Sequence, residues 1–197
     1  MRITGGFLGN RRIDVPDRGV RPTQDRVRQA LFSSLAPRMS DALFLDLCAG
    51  SGGVGIEAWS RGAAQVWWVE RHPATYRLMK RNIEMLCGSV QASHGALRLF
   101  RDDALRFARQ YALECSFDII FADPPYEEAD GDGAWSAALM EAVRRNGLLK
   151  AGGVFVMEQS VRRPVGAYPG WRLQAEKAYG ETVLALYGAD APGDSAT

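Results

Sequence analysis

The sequence predicts an α/β fold: a mainly parallel sheet covered by helices on both faces, preceded by a basic segment. Three observations carry this. From Ala42 onward, short apolar runs alternate with helical stretches at the spacing of strand–helix–strand units. Two of the runs, Leu43-Phe44-Leu45 and Phe117–Ala122, are apolar on both faces apart from Asp118, as strands covered from both sides are. A glycine-rich turn, Gly50-Ser51-Gly52-Gly53-Val54-Gly55, stands where the first run meets the first helical stretch.

Each element follows in order. Ile3, Phe7, Ile13 and Val15 around Gly5, Gly6 and Gly9 predict a short hairpin in residues 2–15. Thr23 can cap a helix whose apolar stripe, Val27, Ala30, Leu31, Ser34 and Leu35, ends before Pro37. Strands are expected at Ala42–Leu47, Gln65–Val69, Ala96–Phe100, Phe117–Ala122 and Val154–Met157. The helices between them are Gly53–Ser60, Pro73–Leu86, Asp103–Tyr111 and Ala134–Asn146. Trp171–Lys177 and Thr182–Tyr187, joined through Tyr179-Gly180, predict a closing antiparallel hairpin. The organisation is therefore an extension of residues 1–40, an α/β domain of residues 41–188 and a disordered tail of residues 189–197.

Composition narrows the class. The chain has 197 residues, 47% hydrophobic and 24% charged, enough for a two-sided core and too apolar for global disorder. No apolar run approaches a membrane span, and Met1–Asn10 lacks the apolar centre of a secretion signal. Three cysteines, Cys48, Cys87 and Cys115, form no C-x-x-C pair, so no disulfide framework or zinc site is indicated and a cytoplasmic address is expected. The formal net charge of +1 conceals a polarity. Residues 1–40 hold eight arginines against Asp14, Asp17 and Asp25, leaving +5 there and −4 in the remainder. Of 24 basic residues 21 are arginine, whose planar fork suits phosphate. That pattern fits a nucleic-acid footprint or a solvated surface equally.

Two constellations carry chemistry. The first is Asp46-Leu47-Cys48-Ala49-Gly50-Ser51-Gly52-Gly53, a turn whose glycines let a ligand approach the backbone. A dinucleotide and S-adenosylmethionine both suit such a turn. Asp46 would repel a pyrophosphate and attract an ammonium or sulfonium, which favours the second. Glu70, ending the second strand, can accept from ribose hydroxyls in either case. After the third strand, Asp103 and the Ala104 amide can read an adenine, or Asp103 can simply cap the next helix. The second constellation is Asp123-Pro124-Pro125-Tyr126 at the end of the fourth strand. The prolines fix an extended ledge on which the Asp123 carboxylate and the Pro124 carbonyl are neighbouring acceptors. Two acceptors can hold both hydrogens of an exocyclic amino group while its nitrogen attacks a methyl sulfonium. Tyr126 would stack on the base, which must be flipped out to reach it. His72 and His94 lack partners at catalytic spacing and read as surface or capping residues.

Taken together these residues resemble a known family. Asp123-Pro124-Pro125-Tyr126 is similar to the signature of methyltransferases acting on exocyclic or amide nitrogens. Arg2-Ile3-Thr4-Gly5-Gly6, the run from Arg21-Pro22-Thr23 to Phe32, the Asp46–Gly55 loop and Tyr179-Gly180-Glu181-Thr182 resemble the bacterial RsmD-type enzymes. The resemblance runs from Arg2 to about Tyr187. It implies a Rossmann-like class I methyltransferase fold with a seven-stranded sheet. It implies methyl transfer from S-adenosylmethionine to guanine N2 of small-subunit (16S) ribosomal RNA, free or in the assembled subunit. The enzyme would be a monomer, without membrane or metal. Its cofactor site would comprise Asp46, Cys48, Ala49, Gly50, Ser51, Gly52, Glu70, Arg71, Asp103 and Ala104, and its catalytic pocket Asp123, Pro124, Pro125 and Tyr126.

Two residues depart from the family pattern. Cys48 stands where an aromatic is common and Gly53 where alanine is common, which predicts a looser loop. Cys48 is read as a small buried packing residue, since an exocyclic nitrogen needs no covalent intermediate. In the basic segment Arg11, Arg12, Arg21 and Arg28 are expected to grip RNA phosphates, with Arg26 assigned more readily to an internal ion pair. The alternatives are an N6-adenine methyltransferase with the same ledge, a nicotinamide-dependent oxidoreductase and a non-catalytic RNA-binding module.

Overall fold

A computed structural model describes residues 1–15, 25–111, 116–124 and 133–190. Its strands form one seven-stranded sheet, and the chain divides into two compact units, Met1–Asp103 and Ala104–Thr197.

In the first unit β1 (Leu43–Asp46), β2 (Gln65–Val69) and β3 (Leu97–Phe100) run parallel in the order β3-β2-β1. Phe44, Leu45, Val66, Trp68 and Val69 are fully buried, as the continuous apolar runs require. The register opposes Asp46 to Trp68, so Asp46 and Glu70 emerge at the carboxyl ends of adjacent strands. Helices α1 (Asp25–Leu35), α2 (Gly53–Ser60) and α3 (Pro73–Cys87) belong to this unit. Helix α1 buries Val27, Leu31, Phe32 and Leu35 together with Arg28. Thr23, expected as its cap, lies outside the described residues. Helix α2 is buried around most of its circumference, including Glu57.

The expected hairpin in residues 2–15 reduces to a single antiparallel bridge, Arg2 with Arg12. Ile3 N donates to Arg11 O and Ile13 N to Met1 O, but the tip turns away from strand pairing. Its amides go to α2 instead: Phe7 N donates to Ser60 O at 2.9 Å and Leu8 N to Ser60 Oγ at 2.8 Å. Gly6 makes this approach feasible. Its φ is +74°, and a Cβ there would lie 1.9 Å from Ser60 O.

The second unit contains α4 (Ala104–Gln110), β4 (Phe117–Ala122), α5 (Ala134–Arg145), β5 (Leu149–Ser160), β6 (Trp171–Tyr179) and β7 (Thr182–Ala189). The strand order is β4-β5-β7-β6, with β4 and β5 parallel and the β6–β7 hairpin antiparallel. Strand β5 is longer than the apolar run Val154–Met157 suggests. The polar Glu158, Gln159 and Ser160 continue it because they pair with Leu184, Val183 and Thr182 of β7. Strand β7 extends through Ala189, one residue past the expected domain edge. Residues 191–197, expected as a disordered tail, lie outside the described residues.

Candidate functional site

The glycine turn leaving β1 is closed by hydrogen bonds within itself and to residues of β1, β2 and Glu70. Ala49 N donates to Val69 O at 3.0 Å and Gly52 N to Ala49 O at 2.7 Å. Glu70 turns back over the loop: Oε2 accepts Gly50 N at 2.9 Å and Oε1 accepts His72 N at 2.7 Å. Asp46, 1% exposed, accepts Gly55 N on Oδ2 at 3.1 Å. Trp68 Nε1 donates to Gly52 O at 3.2 Å. Gly50 and Gly52 have φ of +54° and +85°, the left-handed values that let the chain fold so tightly.

This geometry bears on the choice between the two cofactors. A pyrophosphate is held by free amides of such a loop and of the helix behind it. Here the Gly50 and Gly55 amides are committed to Glu70 and Asp46, and both acceptors are carboxylates. A second anion beside them meets repulsion and finds those donors spent. Each Glu70 oxygen accepts one amide and keeps lone-pair capacity for a hydroxyl, so a ribose fits. The residues present therefore suit a phosphate-free, cationic nucleoside cofactor.

The other expected cofactor residues divide. Cys48 is half-buried, more open than a pure packing role implies. Arg71 is exposed, with Nε 3.3 Å from His72 Nε2. Asp103 sits ahead of α4, its amide donating to Asp102 Oδ1 at 2.7 Å, and Ala104 is buried as the first residue of that helix. His72 precedes α3 without a capping bond from its side chain, and His94 is exposed in the left-handed region. In the second unit Asp123 is half-buried and Pro124 buried at the end of β4, where the ledge was expected. Pro125, Tyr126 and Arg21 lie outside the described residues.

Arg28 requires correction. It is 0% exposed, with Nε bonded to Glu57 Oε2 at 3.0 Å and Nη2 to Asp25 Oδ1 at 2.9 Å and to the Arg2 carbonyl. A guanidinium so buried cannot reach phosphate. Arg26, for which the sequence predicts an internal ion pair more readily, is exposed, as are Arg11 and Arg12. The expectation of a looser loop also yields. A Cβ on Gly53 would lie 2.3 Å from Met1 Cε and 3.0 Å from Ile13 Cδ1, so side chains of the N-terminal arm fill the space an alanine would take.

Two residues were missed. Glu57, 0% exposed, gathers Arg28, Arg61 (Nη2–Oε1 2.8 Å), the Thr4 amide and the Thr4 hydroxyl. Its signal was available: it is the only charged side chain within the apolar stretch Gly53–Ser60. Asn82 binds both the arm and the loop, and nothing in its polar surroundings, Lys80-Arg81-Asn82, announces it.

Among the described residues no helix is long and apolar enough to cross a membrane, and no group of three or more metal-ligating side chains converges.

Comparison with known proteins places these features in a lineage. The model of a family described as conserved hypothetical protein 95 matches residues 1–188. The ribosomal RNA small subunit methyltransferase D of Escherichia coli strain K12 is 34% identical over 99% of this chain and 93% of its own. That of Haemophilus influenzae is 32% identical over 95% and 93%. The solved structure of the Escherichia coli protein yhhF superposes with a TM-score of 0.81 at 31% identity, covering 97% of this chain and 98% of that one. The fold is that of Rossmann-like class I methyltransferases, which methylases of far lower identity share as a fold alone.

Proposed function

The chain belongs to the conserved hypothetical protein 95 family, and from that premise we propose that it methylates ribosomal RNA of the small subunit, at guanine N2, using S-adenosylmethionine. The observation that carries the reading is the end-to-end likeness to ribosomal RNA small subunit methyltransferases D, arm included. The loop geometry supports the cofactor. Asp46 and Glu70 present negative charge and acceptors, and the loop amides they occupy are withheld from a pyrophosphate.

When bound, the cofactor supplies an electrophilic methyl on a sulfonium. The chain's own residues do the rest. Glu70 would hold the ribose hydroxyls, and Asp46 fixes the loop by its bond to Gly55. Asp123 and the Pro124 carbonyl would hold the two hydrogens of the guanine amino group, leaving the nitrogen lone pair free to act as the nucleophile. The proton released on transfer leaves through Asp123 or water. Tyr126 stacks on the flipped base, and Arg11 and Arg12 hold flanking phosphates.

The test is transfer of labelled methyl into small-subunit ribosomal RNA from unmethylated cells, followed by nucleoside analysis. N2-methylguanosine is expected. Recovery of N6-methyladenosine would replace guanine with adenine as the target. Asp123→Ala should lower transfer by at least about 100-fold. Full activity in that variant would remove Asp123 from the mechanism.

A further inference from the structure

We infer that Asn82 is a positioning residue through which the N-terminal arm holds the cofactor loop, so that RNA seated on the arm tightens cofactor binding. The RNA half of this inference rests on the function proposed above.

Asn82 lies in α3 at 1% exposure and spends one amide group on two separate segments. Oδ1 accepts Asp14 N at 3.1 Å, and Nδ2 donates to Asp14 O at 2.9 Å. The other Nδ2 hydrogen goes to Ser51 O, also at 2.9 Å, inside the glycine loop. The side chain thus pairs with Asp14 as a neighbouring strand would, and the same nitrogen fixes the loop.

A second contact joins the same two segments independently. The Met1 methyl and Ile13 Cδ1 pack against Gly53, and Met1 and Ile13 are tied to each other by the bond from Ile13 N to Met1 O at 3.1 Å. Residues at both ends of the arm therefore rest on the loop. Arg12, exposed and bridged to Arg2, is two residues from Asp14. A phosphate backbone that restrains Arg11 and Arg12 restrains Asp14, Asn82 and Ser51 in turn. Coupling of this kind is reciprocal: if RNA tightens cofactor binding, cofactor tightens RNA binding by the same factor.

Asparagine is required by the donor count. Aspartate of the same shape keeps an acceptor for Asp14 N but turns a carboxylate toward two carbonyl oxygens. Asn82→Asp therefore cuts the loop side of the link while sparing part of the arm side.

The experiment is calorimetry of the full chain with S-adenosylhomocysteine, with and without a small-subunit ribosomal RNA transcript, beside steady-state methyl transfer. In the unaltered protein the transcript should tighten S-adenosylhomocysteine binding. Asn82→Asp should weaken it about tenfold, the effect of losing the buried hydrogen bond to the loop, abolish the enhancement by RNA, and raise the KM for S-adenosylmethionine more than it lowers kcat. Gly53→Ala, which displaces Met1, approaches the link from the loop and should move the same quantities in the same direction, so the test survives if Asn82→Asp fails to fold. A variant with lowered Tm but unchanged Kd and RNA enhancement would show Asn82 to be structural only and overturn the inference. So would an unaltered protein whose Kd is indifferent to RNA while methyl transfer proceeds, a result that leaves the proposed function standing. If the unaltered protein transfers no methyl to the RNA, the proposed function fails, and an unchanged Kd in both variants then overturns the arm-to-loop link as well.

Discussion

The two ends of α2 are held by different means. Its amino end is the glycine loop, fastened by neutral groups of the backbone, Trp68 and Asn82 and by the carboxylates of Asp46 and Glu70, which accept backbone amides. Its carboxyl end is a charged knot, in which buried Glu57 meets the guanidiniums of Arg28 and Arg61 while Ser60 takes the amides of Phe7 and Leu8. The contrast separates two uses of a buried glutamate. Glu57 neutralises the buried Arg28 and the half-buried Arg61 and is consumed by the fold. Glu70 shapes a loop and retains acceptor capacity for a ligand.

The largest difference should come from neutralising each glutamate. Glu57→Gln leaves Arg28 buried beside a lost counter-charge and should cost about 3–5 kcal/mol in denaturant unfolding. Glu70→Gln disturbs amide bonds alone and should cost about 1–2 kcal/mol while weakening S-adenosylhomocysteine binding. Equal losses of stability would erase the distinction.

Glycines give a second, smaller contrast. Gly6→Ala combines a left-handed φ with a clash against the Ser60 backbone and should destabilise by at least about 2 kcal/mol. At the other end Gly53→Ala meets chiefly the mobile end of Met1, and the gain in helix propensity should keep the change within about 1 kcal/mol. Thermal unfolding of the two variants measures both.

Smallest in stability is the exposed part of the arm. Reversing Arg11 and Arg12 to Glu should change unfolding by less than about 0.5 kcal/mol, yet reduce the salt dependence of RNA binding by about two phosphate contacts. An unchanged salt slope would leave those arginines without a role in RNA binding.

Local pattern and distant partnership explain which of these features could be read in advance. The sequence predicts Gly53–Ser60 and Gln65–Val69 with the bounds observed, because apolar runs flanked by glycine and charge are local signals. Asp46 was placed correctly on the same grounds, at the end of β1, and Glu70 to within one residue of the end of β2. Arg28 was not. Burying a guanidinium needs a partner, and Glu57 lies 29 residues away on another helix. Asn82 likewise reads as part of a solvated helical face until the fold brings Asp14 and Ser51 to it. The length of β5 depended on β7, since Glu158, Gln159 and Ser160 are strand by pairing and not by propensity.

Trp68 gives the loop an optical consequence. Its indole is fully buried, its Nε1 donates to Gly52 O, and a Cβ on Gly55 would lie 2.1 Å from that nitrogen. Emission from this ring depends on the carbonyl it faces and on the dryness of its surroundings. A ligand that shifts the turn by a fraction of an ångström should alter that emission without any attached dye, so the rate at which the loop responds to a ligand can be followed by stopped-flow fluorescence in the native chain, with Trp68→Phe as the control that separates it from the other four tryptophans.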